Sequence, residues 1–239
     1  MIAIYKREMK SYFVTPLGYV FIGVYLIFSG LFFYLFTLRS VTPEIGTADL
    51  APMFSLMFFV LMITVPLLTM RLLSEEKKNK TDQLILTAPV GLFSLVAAKF
   101  AAAYSIFLIS TAIMPVYGVV LTRFTEVSWR ALCGNMAGIV MLGAVYTSAG
   151  LLVSSLTENQ MVAAVISVFV NVGFLISSIA SNYVGIAFVA DALRTLSLIE
   201  RYDRFTIGMF EFQNILFFMS ITFVFLFLTV RILERRRWS

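Results

Sequence analysis

The 239-residue chain contains no histidine and a single cysteine, Cys133. Without histidine it cannot form a Ser-His-Asp or Cys-His catalytic site or an HExxH zinc site, and one thiol excludes an intramolecular disulfide. A hydrolase is therefore disfavoured, although a serine-based site stays open. No G-x-x-x-x-G-K-[ST] pattern occurs, so the chain has no loop of that type to hold the phosphates of ATP.

Charge is also scarce, since 13% of the residues are charged and 60% are hydrophobic. Ordinary soluble domains contain about a quarter charged residues, whereas a helix of roughly 20 apolar residues crosses the ~30 Å hydrocarbon layer of a membrane. Barrel strands would be shorter and would alternate in polarity. The sequence therefore predicts an all-α, polytopic membrane protein with six transmembrane helices. Six segments lack Asp, Glu, Lys and Arg: 11–38, 50–70, 100–122, 131–157, 159–190 and 212–230.

The basic residues explain the net charge of +5 without a nucleic-acid partner. They cluster at the N-terminus, after the second predicted span and after the sixth, which share one side of a six-span topology. The clusters are Lys6, Arg7 and Lys10; Arg71, Lys77, Lys78 and Lys80; and Arg231, Arg235, Arg236 and Arg237. The positive-inside rule then predicts a multi-pass protein of the cell (cytoplasmic) membrane with both termini in the cytoplasm.

Residues 1–15 predict an amphipathic interfacial helix that precedes the first span. Apolar side chains at helical spacing form one face, and Lys6, Arg7, Lys10 and Ser11 form the other. Such a helix lies in the plane of the membrane lipids. A solvated basic lead-in is the alternative. The apolar run that follows is longer than the core of a signal peptide, which predicts that the segment is retained.

The predicted spans have distinct local features. Pro66 predicts a kink in the second span, and Lys99 in the third is expected to extend its ammonium to the membrane surface. The fourth span is rich in small residues, which favours close helix packing over a substrate path. The expected bounds are 17–38, 53–73, 92–121, 131–156, 161–181 and 213–233.

Residues 182–212 predict an extracytoplasmic re-entrant region. The apolar stretch Val184 to Val189 is too short to cross the membrane, and the charges that begin at Asp191 cannot follow it into hydrocarbon. We expect two short helices that dip into the outer leaflet. Their charges suit local pairing, and the alternative is a gate or a dock for an extracytoplasmic accessory protein.

The loop 74–90 combines charge with a short apolar tip. Ser74 is positioned to cap one short helix and Thr81 to cap a second, which Pro89 ends. Leu84, Ile85 and Leu86 form the apolar tip of the second helix. This arrangement suits the docking of a cytoplasmic partner, although the tip could equally rest on the bilayer.

The sequence of residues 71–90, RLLSEEKKNKTDQLILTAPV, resembles the coupling segment of ABC-2 type permeases, R-x-[IL]-x-x-E-[KR]-x-x-G-T-x-E-x-L-L-x-x-P. Lys80 and Gln83 stand where the family usually has glycine and glutamate. Residues 156–160 (LTENQ), 201–205 (RYDRF) with Gly208, and 233–238 (LERRRW) are similar to further parts of its gliding-motility and copper-enzyme-maturation branch.

The resemblance implies that residues 1–239 form one ABC-2 type transmembrane domain. It would be the permease subunit of an ABC transporter, an exporter and not itself an enzyme, driven by a separate cytoplasmic ATPase dimer. ATP and magnesium would be bound by that ATPase, and this chain would bind no cofactor or metal. The second permease subunit would be an identical copy or a paralogue. The implied ATPase-docking residues are Glu75, Glu76, Lys77, Thr81, Asp82, Gln83, Leu84 and Ile85, and the elbow-helix residues are Tyr5, Lys6, Arg7 and Lys10.

Two other functional classes compete with this interpretation. A secondary transporter usually needs acidic residues or broken helices at the membrane midplane, and the middles of the predicted spans lack carboxylates. A non-transporting structural or sensory membrane subunit is the other class. The candidate pathway residues are Ser167, Asn171, Ser177 and Ser178, which could instead bond neighbouring helices. The absence of charge inside the spans favours a lipidic or amphipathic cargo over a small ion.

Overall fold

The computed structural model describes residues 1–40, 50–81, 91–181, 183, 194–195, 197–206, 208–209 and 211–237, and in these ranges it contains helices and no β-strand. Six helical segments are long and apolar enough to cross a membrane, which confirms the predicted class. They are numbered here as spans 1 to 6: Pro16–Thr37, Ala51–Lys78, Leu92–Leu121, Trp129–Leu156, Gln160–Ser181 and Phe212–Arg237. The regular helix of the second segment ends at Thr69, and a separate short helix, Ser74–Lys78, follows it. Below, span 2 therefore means residues 51–70, and residues 71–81 are called the loop after span 2.

Two spans depart from regular helix. Span 1 is α-helical over Pro16–Phe32 and ends in a π-helical turn, Phe33–Thr37. Span 3 consists of two helices, Leu92–Thr111 and Met114–Leu121, where the sequence predicted one. Pro115 explains the break, because its nitrogen has no hydrogen to donate and its ring disfavours helical geometry in the residue before it.

Span 4 lies at the centre of the bundle and packs against spans 2, 3, 5 and 6. Its glycines allow this close approach. A Cβ atom on Gly143 would lie 2.1 Å from the Phe107 ring, and one on Gly150 would lie 2.0 Å from the Thr69 hydroxyl. The prediction that the small residues of this span serve close packing is therefore confirmed. Many apolar side chains of spans 1, 5 and 6 are exposed, as lipid-facing surfaces require.

An N-terminal helix, Ile2–Val14, precedes span 1 and ends at Thr15, where the backbone becomes extended before Pro16. Gly18 allows a tight junction, because a Cβ there would lie 2.6 Å from the Tyr12 carbonyl oxygen. The N-terminal helix contacts the start of span 3 as well as span 1. With an even number of spans, this helix and the loop after span 2 lie on the same side of the bundle as the C-terminus, called here the terminal side; the other side is the distal side.

The described part of the region 182–212 includes the helix Leu198–Thr206, called here the interspan helix. It buries Leu198, Tyr202 and Phe205 against the bundle and leaves its charged residues on the other face. Val184 to Val189, the proposed first arm of a re-entrant hairpin, lies outside the described residues. The re-entrant arrangement therefore stays a prediction.

The predicted topology can be tested with two exposed positions, Lys78 on the terminal side and Glu200 on the distal side. In a Cys133→Ser background, Lys78→Cys and Glu200→Cys should react with an impermeant maleimide from opposite sides of sealed vesicles, Lys78→Cys from the cytoplasmic side. The measurement is the extent of maleimide labelling in right-side-out and in inverted vesicles. The Cys133→Ser protein, which has no cysteine, gives the background. Labelling of both positions from one side would exclude a six-span arrangement.

Candidate functional site

Lys99 is buried on the terminal side, where three segments of the chain meet. Its ammonium nitrogen lies 3.0 Å from Glu8 Oε1 of the N-terminal helix and 2.8 Å from Glu76 Oε1 of the loop after span 2. It also donates a hydrogen bond of 2.7 Å to the Leu72 carbonyl oxygen. Only 1% of the Lys99 side chain is exposed, against 13% for Glu8 and 15% for Glu76. Span 3 is thereby joined to two segments that are distant in sequence.

Arg7 closes the same cluster from the solvent side. Its guanidinium lies 2.7 Å from Glu8 Oε1 and 2.9 Å from Glu76 Oε1, and 58% of the side chain is exposed. Burial alone would raise the pKa of Glu8, but the charges and hydrogen bonds of Lys99 and Arg7 outweigh it and lower that pKa below its ordinary value. The hydrogen bond to Glu8 raises the pKa of Arg7. The two cations thus favour the charged form of Glu8. We call Arg7, Glu8, Glu76 and Lys99 the ion cluster.

A second set of contacts ties the N-terminal helix to the end of span 2. Arg71 donates hydrogen bonds to Thr15 Oγ1 (2.8 Å) and Ser11 Oγ (3.2 Å), and its guanidinium lies 4.7 Å from the centre of the Tyr12 ring. Tyr12 is fully buried and donates to the Leu68 carbonyl oxygen at 2.9 Å. Burial raises the pKa of Tyr12, so its hydroxyl keeps the proton that it donates.

Ser154 of span 4 holds the start of the loop from the other side. Its hydroxyl accepts hydrogen bonds from the backbone N–H groups of Leu73 (2.9 Å) and Ser74 (3.1 Å) and donates to the Met70 carbonyl oxygen (3.1 Å). The Ser74 hydroxyl also donates to Met70. The prediction that Ser74 caps the short helix Ser74–Lys78 is therefore wrong: Ser74 is its first residue, and its side chain bonds backward to span 2.

Lys80 has a positive φ of 56°, alone among the described residues other than glycine. Such a left-handed conformation favours glycine, because a Cβ atom clashes with the backbone there. The family pattern has glycine at this position, and the structure gives the physical reason. The loop backbone keeps the turn that glycine favours although this chain has lysine.

A cleft of about 460 Å³ opens beside the ion cluster, between the N-terminal helix and the loop. Cations and carboxylates line it in equal number: Arg7, Arg71 and Lys99 face Glu8, Glu75 and Glu76. The cleft therefore has no strong preference for ligands of one charge. Among the described residues, no group of three or more His, Cys, Asp or Glu side chains lies in an arrangement that could hold a metal ion.

Some of the predicted ATPase-docking residues lie at or beside the ion cluster. Glu76 belongs to the cluster, Glu75 is exposed, and Lys77 is half-buried beside Glu76. The Thr81 hydroxyl donates to the Glu76 carbonyl oxygen at 3.2 Å. Asp82, Gln83, Leu84 and Ile85 lie outside the described residues, so their docking role stays a prediction.

The predicted elbow residues divide between solvent and protein. Lys6 and Lys10 are exposed, whereas Arg7 belongs to the ion cluster. The Tyr5 hydroxyl lies 3.0 Å from Ser105 Oγ of span 3, so this residue contacts the bundle. One face of the N-terminal helix thus packs against the bundle, and the opposite face carries the exposed side chains of Lys6 and Lys10.

Sequence patterns do not predict the role of three residues of this site. The prediction that Lys99 extends its ammonium to the membrane surface is wrong, because that ammonium is buried between two carboxylates. Glu8 and Ser154 are not among the predicted site residues. Glu8 is the only acidic residue among the first 40, and Lys99 is the only charged residue of span 3. The signal in the sequence is that these two isolated residues of opposite charge fall on the same predicted side of the membrane, where they could form a pair.

The candidate pathway residues bond mainly to helix backbone. Ser167 donates to the Ala163 carbonyl (2.7 Å) and Ser177 to the Phe174 carbonyl (2.8 Å), both within span 5. Asn171 donates to the Met62 carbonyl of span 2 at 3.2 Å. Ser178 is buried. These contacts favour helix packing, and a pathway role stays a prediction.

A polar pocket of about 440 Å³ lies on the distal side beside the interspan helix. Arg204 pairs with Glu211 at 2.8 Å, and Arg201 donates to Asn214 Oδ1 at 3.0 Å while it stacks 4.0 Å from the centre of the Phe217 ring. Burial, followed by the nearby Glu200 charge, raises the pKa of Asp203. These contacts agree with the expected local pairing of charges. A role in binding an accessory protein stays a prediction.

A protein-family model matches a large part of the chain. Residues 6–175 match the family model described as ABC-2 family transporter protein. The matched range includes the N-terminal helix from Lys6, the ion cluster and the loop after span 2, and it ends within span 5. No curated protein matches the chain.

Proposed function

Because the chain belongs to the ABC-2 family of transporter proteins, we propose that it is the permease subunit of an ABC exporter in the cell membrane and that a separate cytoplasmic ATPase dimer docks on its terminal side. The gliding-motility and copper-enzyme-maturation branch is the part of the family that its motifs resemble. ATP and magnesium would be held by the ATPase.

The ion cluster is the observation that carries this proposal. The loop after span 2, which contains the family's coupling motif, is bonded through Glu76 to Lys99 of span 3 and through Leu73 and Ser74 to Ser154 of span 4. Arg71 bonds the same loop to the N-terminal helix. A force applied to the loop by a docked ATPase would therefore reach spans 2, 3 and 4 and the N-terminal helix directly.

The energetics of buried ion pairs support a role in coupling more than one in stability. Replacing such pairs by well-packed apolar residues is often neutral or stabilising, so a buried pair is weak evidence for a contribution to stability. A buried ion pair fixes the relative position of its two side chains, because either charge is left unpaired if the other side chain moves away. The ion cluster is therefore suited to a permease in which the loop after span 2 and span 3 move together.

The exposed faces of spans 1, 5 and 6 leave room for lipid and for a second permease subunit, either a copy of this chain or a paralogue. The described spans carry no carboxylate in their middles, which favours a lipidic or amphipathic cargo. An accessory protein on the distal side would have the polar pocket and the interspan helix as its contact surface.

Leu84→Asp is expected to abolish ATPase association while the permease still inserts in the membrane. If residues 81–88 form the docking helix, the new carboxylate enters an apolar socket without a partner, which costs several kcal/mol. The measurement is co-purification of an ABC-type ATP-binding protein with the tagged permease from detergent-solubilised native membranes.

Phe124→Asp is the matched control, because Phe124 is an exposed apolar residue on the distal side. It should leave the ATPase bound. A Leu84→Asp complex that assembles and transports normally would contradict the docking assignment. An assembled wild-type complex that hydrolyses ATP but moves no cargo would instead favour a structural or sensory subunit.

A further inference from the structure

The backbone of span 2 has one missing hydrogen bond inside the membrane. Pro66 is buried within the helix Ala51–Thr69 and has no amide hydrogen, so the carbonyl of Met62, four residues earlier, receives no bond from it. Such a carbonyl is costly in a membrane unless another group supplies a donor.

Asn171 of span 5 supplies that donor. Its side-chain nitrogen lies 3.2 Å from the Met62 carbonyl oxygen, and the residue is fully buried. Within the described part of the chain, the side-chain oxygen of Asn171 has no hydrogen-bond partner. An asparagine with half of its amide unpaired is unfavourable in a packed apolar interface. The bond to Met62 is the contact that offsets this cost.

The part of span 2 that follows Pro66 is bonded to the terminal side. Leu68 accepts from Tyr12 of the N-terminal helix at 2.9 Å, and Met70 accepts from Ser154 of span 4 at 3.1 Å. Thr69 packs against Gly150 of span 4. The missing backbone bond therefore lies just before the part of span 2 that is bonded to the N-terminal helix and to span 4 and that leads into the loop after span 2.

We propose that Pro66 and Asn171 form a hinge with a latch: the end of span 2 pivots at Pro66 when the loop after span 2 moves, and the hydrogen bond from Asn171 to the Met62 carbonyl holds the resting position. Asn171 is then a positioning residue that acts through span 2, and it does not line the cargo path. The latch is inferred from the contacts alone. The pivoting motion rests on the proposed function, because ATP hydrolysis by the docked ATPase would drive it.

A double-mutant cycle on the full-length permease in nanodiscs tests the latch without any partner. Asn171→Leu should lower the melting temperature by about 2–4 °C, the shift that about 1 kcal/mol gives in a chain of this size. In a Pro66→Ala background, where residue 66 can bond to Met62 itself, the same change should lower it by less than half as much. Asn171→Ala provides a second variant if leucine does not fit.

Ser167→Ala is the matched control, since Ser167 is buried one turn away and its hydroxyl donates to the Ala163 carbonyl of the same helix. Its effect should be the same in both backgrounds. Equal effects of Asn171→Leu with proline and with alanine at position 66 would overturn the latch.

The hinge is tested by the distance between spin labels at Lys78 and Ile176, both exposed, in a Cys133→Ser complex. The distance should change between the nucleotide-free and ATP-trapped states, and Pro66→Ala should reduce that change by at least half. An undiminished change would overturn the hinge. If no ATPase associates, the proposed function fails, while the melting temperatures still decide the latch.

Discussion

Lys99→Met is expected to release the N-terminal helix and the loop after span 2 from span 3. The change leaves the carboxylates of Glu8 and Glu76 without their buried cation, and breaking a buried pair in this way costs about 3–5 kcal/mol. The measurements are thermal unfolding in nanodiscs and amide hydrogen exchange over Ile2–Val14 and Ser74–Lys78. Exchange in both segments should rise while that in span 4 stays slow.

Arg7→Met is the matched control, because Arg7 contacts the same two carboxylates from a largely exposed position. An exposed pair contributes at most about 1 kcal/mol, so exchange should change little. The triple change Lys99→Met, Glu8→Gln and Glu76→Gln should recover much of the lost stability, since it removes the unpaired charges. Equal losses for Lys99→Met and Arg7→Met would contradict the central role of Lys99.

Gly134→Leu is expected to displace the interspan helix from span 4. A Cβ atom at this position would lie 2.4 Å from the Phe205 carbonyl oxygen and 2.9 Å from the Gly208 Cα, closer than real Cβ contacts. Because both contacts are backbone atoms, a side-chain adjustment cannot relieve them. Such overpacking costs about 1–3 kcal/mol, and displacement would also expose Tyr202 and Phe205. Hydrogen exchange over Leu198–Thr206 should accelerate, whereas exchange at the ion cluster should not.

Gly173→Leu serves as the control for this prediction. Among the described residues no atom lies within 4 Å of a Cβ built on Gly173, so the same added volume meets open space there. It should leave the interspan helix protected. Unchanged protection of Leu198–Thr206 in Gly134→Leu would show that this helix is not held by its contact with span 4.

The loop after span 2 shows where a sequence pattern and a structure agree. The family pattern has glycine where this chain has Lys80, and the structure places that residue in the left-handed region. A local backbone requirement leaves a mark in sequence, because few residues adopt that conformation at low cost. Ser74 shows the opposite: its hydroxyl suits a helix cap, but the Met70 carbonyl is the partner that it finds in the fold.

The sequence by itself determined the class, the number of spans and the family resemblance, because a helix must pair its own backbone in lipid and therefore needs a long charge-free run. Only the tertiary structure decided the partners of the few polar side chains. Glu8 and Lys99 are 91 residues apart, and Asn171 and Met62 are 109 apart. No local pattern encodes such pairs, since helix packing brings them together and burial makes each pairing necessary.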